Sequence, residues 1–447
     1  MGRKLQKISS TKIILSGYCL IVLVGTLLLS LPIATVGDGA TGVTDAFFTA
    51  TSATCVTGLI RFDTYTHWTL FGQIVILCLI QIGGIGFMTV AIALVMIARR
   101  KIGINSRMIM QDSIAAPQVG GIVRMTKLIL VGTAIVEGAG ALLLSFHFCP
   151  RYGLGKGIYF SIFHSISAFC NAGFDLMGVE EQFSSLTGEV SNWYVNLIIM
   201  ALIVIGGLGF FVWHDLLHSR FRFSLMRLHT KIVLVITILL IVGGSLMIFL
   251  LEQEAGLFAG VPIKDQILAS AFQSVSARTA GFNTINLSAM TESAQFVMIC
   301  LMMIGGSTGS TAGGIKTTTF GVLVISIGSV FRQRKALEVF GRRMEEGITR
   351  TASCIFMMYL GLSLTVAVII SRIESVPFMS ALFESVSAIA TVGLSFGITP
   401  EVSMASKLLL AMLMLFGRVG SITILLAFTN KRTPTASRLP LEKVQIG

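Results

Sequence analysis

The chain has 447 residues, of which 54% are hydrophobic and 12% charged, whereas a soluble protein carries about a quarter charged residues. A mean hydropathy of +0.86 over the whole length excludes a disordered chain and argues against a soluble enzyme. The formal net charge is +12. In an apolar chain the first explanation of such an excess is Lys and Arg in cytoplasmic loops, not nucleic-acid binding.

Arg3, Lys4, Lys7 and Lys12 precede a first apolar run at 13–31. That run is longer than the core of a signal peptide, roughly 7–15 residues, and predicts a retained membrane helix. Further runs follow at 68–98, 126–147, 193–217, 231–251, 293–328, 353–371 and 404–429. A span needs about 20 apolar residues, so eight spans are expected, with both termini on one side. Half-apolar stretches at 43–53, 158–169, 264–277 and 376–389 lie between alternate pairs of spans. Each is too short to cross, and each runs into a glycine-centred turn, the pattern of a re-entrant helix and loop.

The charges assign the sides. Lys and Arg number four in the N-terminal tail, six after the second run, four after the fourth, six after the sixth and four in the C-terminal tail: 24 of the 33. The opposite segments carry acids, among them Asp38, Asp45, Asp63, Asp175, Glu180, Glu181, Glu189 and Asp265. The positive-inside rule then puts both termini in the cytoplasm. Cys19, Cys78, Cys300 and Cys354 fall in apolar runs and are expected to be buried small residues. No cysteine spacing suggests a metal or redox site.

An internal repeat sets the architecture. Ala50-Thr-Ser-Ala-Thr-Cys-Val-Thr-Gly58, Ser165-Ile-Ser-Ala-Phe-Cys-Asn-Ala-Gly173, Ser274-Val-Ser-Ala-Arg-Thr-Ala-Gly281 and Ser385-Val-Ser-Ala-Ile-Ala-Thr-Val-Gly393 share one pattern, each followed by Phe or Leu. The third is one residue shorter. A second signature follows each loop: Ile82-Gly-Gly-Ile-Gly86, Ile205-Gly-Gly-Leu-Gly209, Ile304-Gly-Gly306 and Phe416-Gly-Arg418-Val-Gly420. Two signatures in fourfold register predict four parallel units of helix, short pore helix, glycine loop and second helix. Their expected limits are 1–110, 111–220, 221–345 and 346–447. The fold class is an all-α polytopic membrane protein with four loops around a pseudo-fourfold axis.

Non-helical backbone at membrane depth is tolerated only where it is buried in protein or lines a wet cavity. Rings of carbonyl dipoles replace the hydration shell of a monovalent cation, and glycine supplies the backbone angles that turn carbonyls inward. The candidate coordinating residues are Thr54, Cys55, Val56, Thr57 and Gly58; Cys170, Asn171, Ala172 and Gly173; Arg278, Thr279, Ala280 and Gly281; and Ala390, Thr391, Val392 and Gly393.

With these loops, the Gly-Gly pairs and the single Arg418 that breaks the last pair, the sequence resembles the Ktr/Trk/HKT superfamily of potassium transporters over about residues 10–430. The closest likeness is to its KtrB-type pore-forming subunit. The resemblance implies one selectivity-filter glycine per repeat, here Gly58, Gly173, Gly281 and Gly393. The full Thr-Val-Gly-Tyr-Gly of potassium channels is absent; Thr391-Val-Gly393-Leu comes nearest. A less complete filter is consistent with weaker discrimination and admits sodium dependence or a sodium leak.

The sixth run is interrupted by Gly305-Gly-Ser-Thr-Gly-Ser-Thr-Ala-Gly-Gly-Ile-Lys316, which cannot be a stable lipid-facing helix. Ile315 separates Gly314 from Lys316, so the stretch is not a P-loop. A broken helix folded below the filter is expected, and the resemblance makes it a gating loop. The gate residues are Gly305, Gly306, Gly309, Gly313, Gly314, Lys316 and Arg418. An intramembrane Arg418 must face a cavity or partner and would act as an electrostatic barrier there. Glu137, Glu384, Arg278 and His164 are expected to pair locally.

The function read from these features is potassium uptake across the plasma membrane, not enzymatic catalysis. No HExxH or convergent Ser/His pair lies in the spans. The alternative is a secondary transporter of an organic solute, against which four parallel filter-like repeats speak. No covalent cofactor is expected; potassium, with sodium as a second ion, is cargo. The basic face is expected to meet anionic lipids. By resemblance, the partners are a second copy in a homodimer and a cytosolic RCK-type nucleotide-binding subunit, with the tail Lys431–Gly447 at one of these interfaces.

Overall fold

The computed structural model describes residues 10–37, 39–97, 108–109, 111, 121–253, 256–258, 260–334 and 336–420. The basic N-terminal tail, most of the loop after the second run, and the C-terminal tail with its expected interface role lie outside the described residues.

Helices dominate. The first quarter holds α1 (Ser10–Leu29), α2 (Val43–Cys55), the short α3 (Thr64–His67), α4 (Leu70–Ile85) and α5 (Phe87–Ile97). The second holds α6 (Ile122–Tyr152), α7 (Leu154–Cys170), α8 (Trp193–Leu208) and α9 (Phe210–His218). The third holds α10 (Leu228–Glu252), α11 (Ile263–Ser276), α12 (Glu292–Met303) and α13 (Thr317–Phe331). A two-stranded antiparallel ribbon, β1 (Glu338–Val339) with β2 (Arg342–Arg343), precedes α14 (Ile348–Glu374), α15 (Phe378–Ala390) and α16 (Met404–Val419).

Among the described residues, α1, α6, α10 and α14 are long and apolar enough to cross a membrane as single helices. The second helices are not straight spans. The chain bends by 96° between α4 and α5 and by 91° between α8 and α9. The hinges are Gly86 at φ 88° and Gly209 at φ 93°, and Gly420 ends α16 at φ 93°. These are the last glycines of the second signature. Their backbone angle is one that a side chain with a Cβ rarely adopts, so hydropathy read continuous runs where the backbone turns. The span of the last run beyond Gly420 lies outside the described residues.

Each second helix starts at a polar residue whose side chain accepts a backbone N–H three residues on. Thr69 accepts from Gly72 (3.4 Å), Asn192 from Val195 (3.3 Å), Thr291 from Ala294 (3.3 Å) and Ser403 from Ser406 (3.5 Å). The cap satisfies a donor that has no intrahelical partner.

The packing is cyclic. Short helices α2, α7, α11 and α15 each pack on the long helix that precedes them: α1, α6, α10 and α14. Each second helix also packs on the next unit's short helix: α4 on α7, α8 on α11, α12 on α15, and α16 back on α2. This last contact closes the ring. One core cluster joins the first two units to α11 through Phe160, Phe169 and Phe272. The other joins the last two units to α2 through Phe48 and Phe383.

The expectation for four cysteines is corrected. Cys19, Cys78, Cys300 and Cys354 are exposed on outward helix faces, whereas Cys55 and Cys170 are buried. A membrane helix is apolar toward lipid as well as toward protein, so an apolar neighbourhood in sequence does not mean burial in protein.

Candidate ion pathway

Helices α2, α7 and α15 end on Cys55, Cys170 and Ala390, and the next residue is left-handed: Val56 at φ 57°, Asn171 at φ 59° and Thr391 at φ 53°. In the third unit, whose loop is one residue shorter, Thr279 takes this role at φ 73°. Gly58, Gly173, Gly281 and Gly393 follow two residues later at φ 94°, 68°, 81° and 91°. Positive φ is an outlier for the β-branched Val56, Thr279 and Thr391. Four units thus repeat the same strained alternation, and such strain persists only where its surroundings hold it.

The surroundings are specific. Behind Val56, Asn171 and Thr391, the next residue's N–H bonds a carbonyl one turn back in the pore helix: Thr57 to Ser52, Ala172 to Ser167 and Val392 to Ser387, each at 2.8 Å. The second Ser of the Ser-x-Ser-Ala motif then pins the loop by its hydroxyl. Ser52 accepts from the Gly58 N–H (3.1 Å) and Ser387 from the Gly393 N–H (3.0 Å). Ser167 donates to the Phe174 carbonyl (2.6 Å), and Ser276 donates to the Phe282 carbonyl. The first Ser fixes the pore helix to the long helix where it can: Ser165 donates to the Glu137 carbonyl (2.6 Å) and Ser274 to the Ile241 carbonyl (2.9 Å). The motif was visible in the sequence; its two different duties were not.

The four loops meet. A Cβ on Gly58 would lie 2.5 Å from the Ala172 carbonyl oxygen, and one on Gly173 would lie 2.8 Å from that of Ala280. On Gly281 it would lie 2.6 Å from the Val392 oxygen, and on Gly393, 2.1 Å from the Thr57 oxygen. Each glycine faces the residue before the next unit's glycine, and the fourth returns to the first. Gly58, Gly173, Gly281 and Gly393 also line one cavity of about 270 Å³.

Some candidate residues stand apart from this ring. The Thr54 carbonyl lies against Gly83 of α4, where a Cβ would approach it to 2.0 Å. Gly206 and Gly417 make the same close approach to the Phe169 and Ile389 carbonyls. In the first, second and fourth units the first glycine of the signature therefore lets a second helix touch the end of a pore helix, whereas Gly305 in the third lies against the Gly313 carbonyl of its own loop. Arg278 points inward from the third loop and donates to the Gly305 carbonyl (3.3 Å).

Below the ring, residues 304–316 fold back on themselves. The Gly305 N–H bonds the Ile315 carbonyl (2.9 Å) and the Thr317 N–H the Gly306 carbonyl (3.0 Å). The loop reaches two pore helices: Thr311 donates to the Phe169 carbonyl (3.0 Å), and Gly313 lies against the Thr391 hydroxyl. Gly314 sits beside the Ala390 carbonyl. Gly309 accepts from Phe210 at the start of α9 (2.8 Å). Lys316 donates to the Ala312 carbonyl (2.7 Å) within the loop. Arg418 ties the loop to the first unit: it donates to the Thr311 carbonyl and to the Gly83 and Gly84 carbonyls, the last at 3.0 Å.

Other buried polar groups pair locally. Glu137 accepts from Gln81 (2.9 Å), with the Cys170 thiol 3.8 Å away. Glu384 accepts from Thr399 (2.8 Å) and from Ser395, holding the chain beyond the fourth glycine loop. His164 Nδ1 lies 2.8 Å from the Phe160 carbonyl. In the cavity lined by the four glycines, Asp175 follows Gly173 by two residues. Burial pushes its carboxyl up to about 7, against the Met177 N–H that holds it down and with the Asp63 carboxylate adding to the rise. Its position was not singled out by the sequence, where it appeared as one more outer acid.

Residues 5–437 match the family model of the cation transport protein TrkH. The chain is 37% identical to the potassium/sodium uptake protein NtpJ of Enterococcus hirae, covering 99% of this chain and 98% of that one. It is 38% identical to the Ktr system potassium uptake protein B of Bacillus subtilis, covering 96% and 94%. Among solved structures, the potassium transporter TrkH of Vibrio parahaemolyticus superposes with a TM-score of 0.75 at 19% identity, over 96% of this chain and 86% of that one.

Proposed function

The chain belongs to the TrkH family of cation transport proteins, multi-pass membrane transporters and not enzymes. From that premise we propose that it is the ion-translocating subunit of a potassium uptake system. The supporting observation is the cyclic contact of Gly58, Gly173, Gly281 and Gly393, each against the carbonyl of the residue before the next glycine. Backbone carbonyls there replace the hydration shell of potassium. Glycine at all four positions keeps the ring free of side chains, and the preceding residues act through carbonyls, so their side chains vary. The working units are the four segments 1–110, 111–220, 221–345 and 346–447.

Transport is gated below the ring by residues 304–316. Arg418 holds that loop through Thr311, and its charge opposes a cation that has passed the filter. The relatives' names support sodium as a second ion and a partner subunit in a Ktr-type system. In this reading the protein works in the plasma membrane with both termini in the cytoplasm, as a homodimer carrying an RCK-type nucleotide-binding subunit.

The test is ion uptake by the purified protein in liposomes, with Gly58→Ser and Gly281→Ser beside the unaltered chain. Potassium-driven flux is expected, with a weaker preference for potassium over sodium in both variants. Retained affinity and preference in both variants would refute the filter assignment. Organic-solute flux without ion conduction would refute the function.

A further inference from the structure

The outer cavity lies directly above the glycine ring, because all four filter glycines line it. Its other lining includes Asn283, Asn286, Ser395 and Thr399, and among the described residues that line it Asp175 alone can ionise. One oxygen of that carboxylate, Oδ1, accepts the Met177 N–H at 2.9 Å. Among the described residues, Oδ2 accepts no hydrogen bond, and no Lys or Arg forms an ion pair with Asp175.

The neighbouring acid is differently placed. Asp63 is consumed by the structure: Oδ1 accepts from the Tyr65 and Thr66 N–H groups, and Oδ2 accepts from the Phe183 N–H. A half-buried carboxylate without a cationic partner is costly unless something supplies the charge. A cavity walled by protein also concentrates the field of a single charge on whatever enters it.

We infer that Asp175 forms an outer cation-binding site at the mouth of the pathway, which takes a monovalent cation and delivers it to the filter ring. This rests on the potassium-uptake reading above. A cation in the cavity favours the ionised form of Asp175, which then supplies one carboxylate oxygen and the negative charge, and the amide and hydroxyl groups of the cavity supply neutral oxygens. The cation remains partly hydrated there, since the cavity is open and has room for water. The site raises the local concentration of cations and has no part in choosing among them.

The test is initial-rate potassium uptake in liposomes at low and at physiological ionic strength, for the unaltered chain, Asp175→Asn and Asp175→Glu. Loss of one nearby charge is expected to raise the potassium KM by about threefold or more at low ionic strength, with the maximal rate and the potassium-over-sodium preference retained. The difference should shrink at physiological salt, where counter-ions screen the carboxylate. Asp175→Glu should stay near the unaltered KM. An unchanged KM in Asp175→Asn at low ionic strength overturns the inference, as does an equal, salt-independent rise in both variants, which marks a structural role. If Asp175→Asn does not fold, the unaltered chain decides: a KM that does not rise with ionic strength overturns the site. Absence of potassium flux in the unaltered protein defeats the uptake reading instead, so the two failures are distinguishable.

Discussion

Replacing Gly393 with alanine puts a methyl group where the structure has least room. The new Cβ would stand 2.1 Å from the Thr57 carbonyl oxygen and 2.9 Å from the Gly58 Cα, where real Cβ contacts essentially never fall below 3.0 Å. The Thr57 oxygen must therefore retreat by about 0.9 Å, the difference between these two distances. If the four carbonyls coordinate potassium as proposed, one displaced that far leaves the ring its three counterparts form. The backbone adds its own cost: φ of 91° at Gly393 disfavours any residue with a Cβ, typically by roughly 1–2 kcal/mol. The displaced carbonyl predicts a loss of potassium-over-sodium preference of about tenfold, equivalent to about 1.4 kcal/mol, while the backbone cost, common to both ions, lowers stability instead. The four glycines make the argument stricter, because the same Cβ meets its carbonyl at 2.1 Å for Gly393, 2.5 Å for Gly58, 2.6 Å for Gly281 and 2.8 Å for Gly173. Alanine should therefore hurt most at Gly393 and least at Gly173. The assay is competitive uptake of potassium and sodium in liposomes for all four variants. Equal preferences across the series, or an intact filter in Gly393→Ala, would show that these close approaches do not shape selectivity.

Arg418→Ala removes the donors that join the Thr311 carbonyl to Gly83 and Gly84, and the positive charge with them. Uptake should speed up as the loop loosens, and Arg418→Lys should restore the charge without the three-way bridge; the same maximal rate in all three proteins would remove Arg418 from the gate. Ser387→Ala leaves the half-buried Gly393 N–H without its acceptor, a loss of about 1 kcal/mol. Thermal unfolding in detergent should show it as a lower midpoint, and potassium should offset less of the loss than in the unaltered chain; an unchanged midpoint would mean the N–H finds another acceptor.

Much of the candidate site was legible in the chain because its repeat is written in small residues at fixed spacing. Gly58, Gly173, Gly281 and Gly393 stood in register, and so did the second signature, whose Gly83, Gly206 and Gly417 turn out to let second helices touch the Thr54, Phe169 and Ile389 carbonyls. Less legible were groups that a repeat search does not align, or whose meaning depends on a partner far away in sequence. Thr69, Asn192, Thr291 and Ser403 each open a second helix by accepting an N–H three residues on, yet the four do not share a single residue type. Asp175 read as one acid among many on the outer side, because only the structure shows that it lines one cavity with the four glycines and, among the described residues, has no basic partner.

The sequence by itself determined the membrane class, the fourfold repeat and the sites of the non-helical backbone, since hydropathy and glycine spacing are local properties. Tertiary structure alone decided that α16 packs back on α2 and closes the ring, that Gly86 and Gly209 turn the second helices through nearly a right angle, and that Arg418 reaches Thr311 on another unit. It also decided that Cys19, Cys78, Cys300 and Cys354 face outward. The physical reason is common to all four. Lipid and protein interior are equally apolar, so a hydrophobic pattern states that a segment leaves water, and only packing states what it meets there.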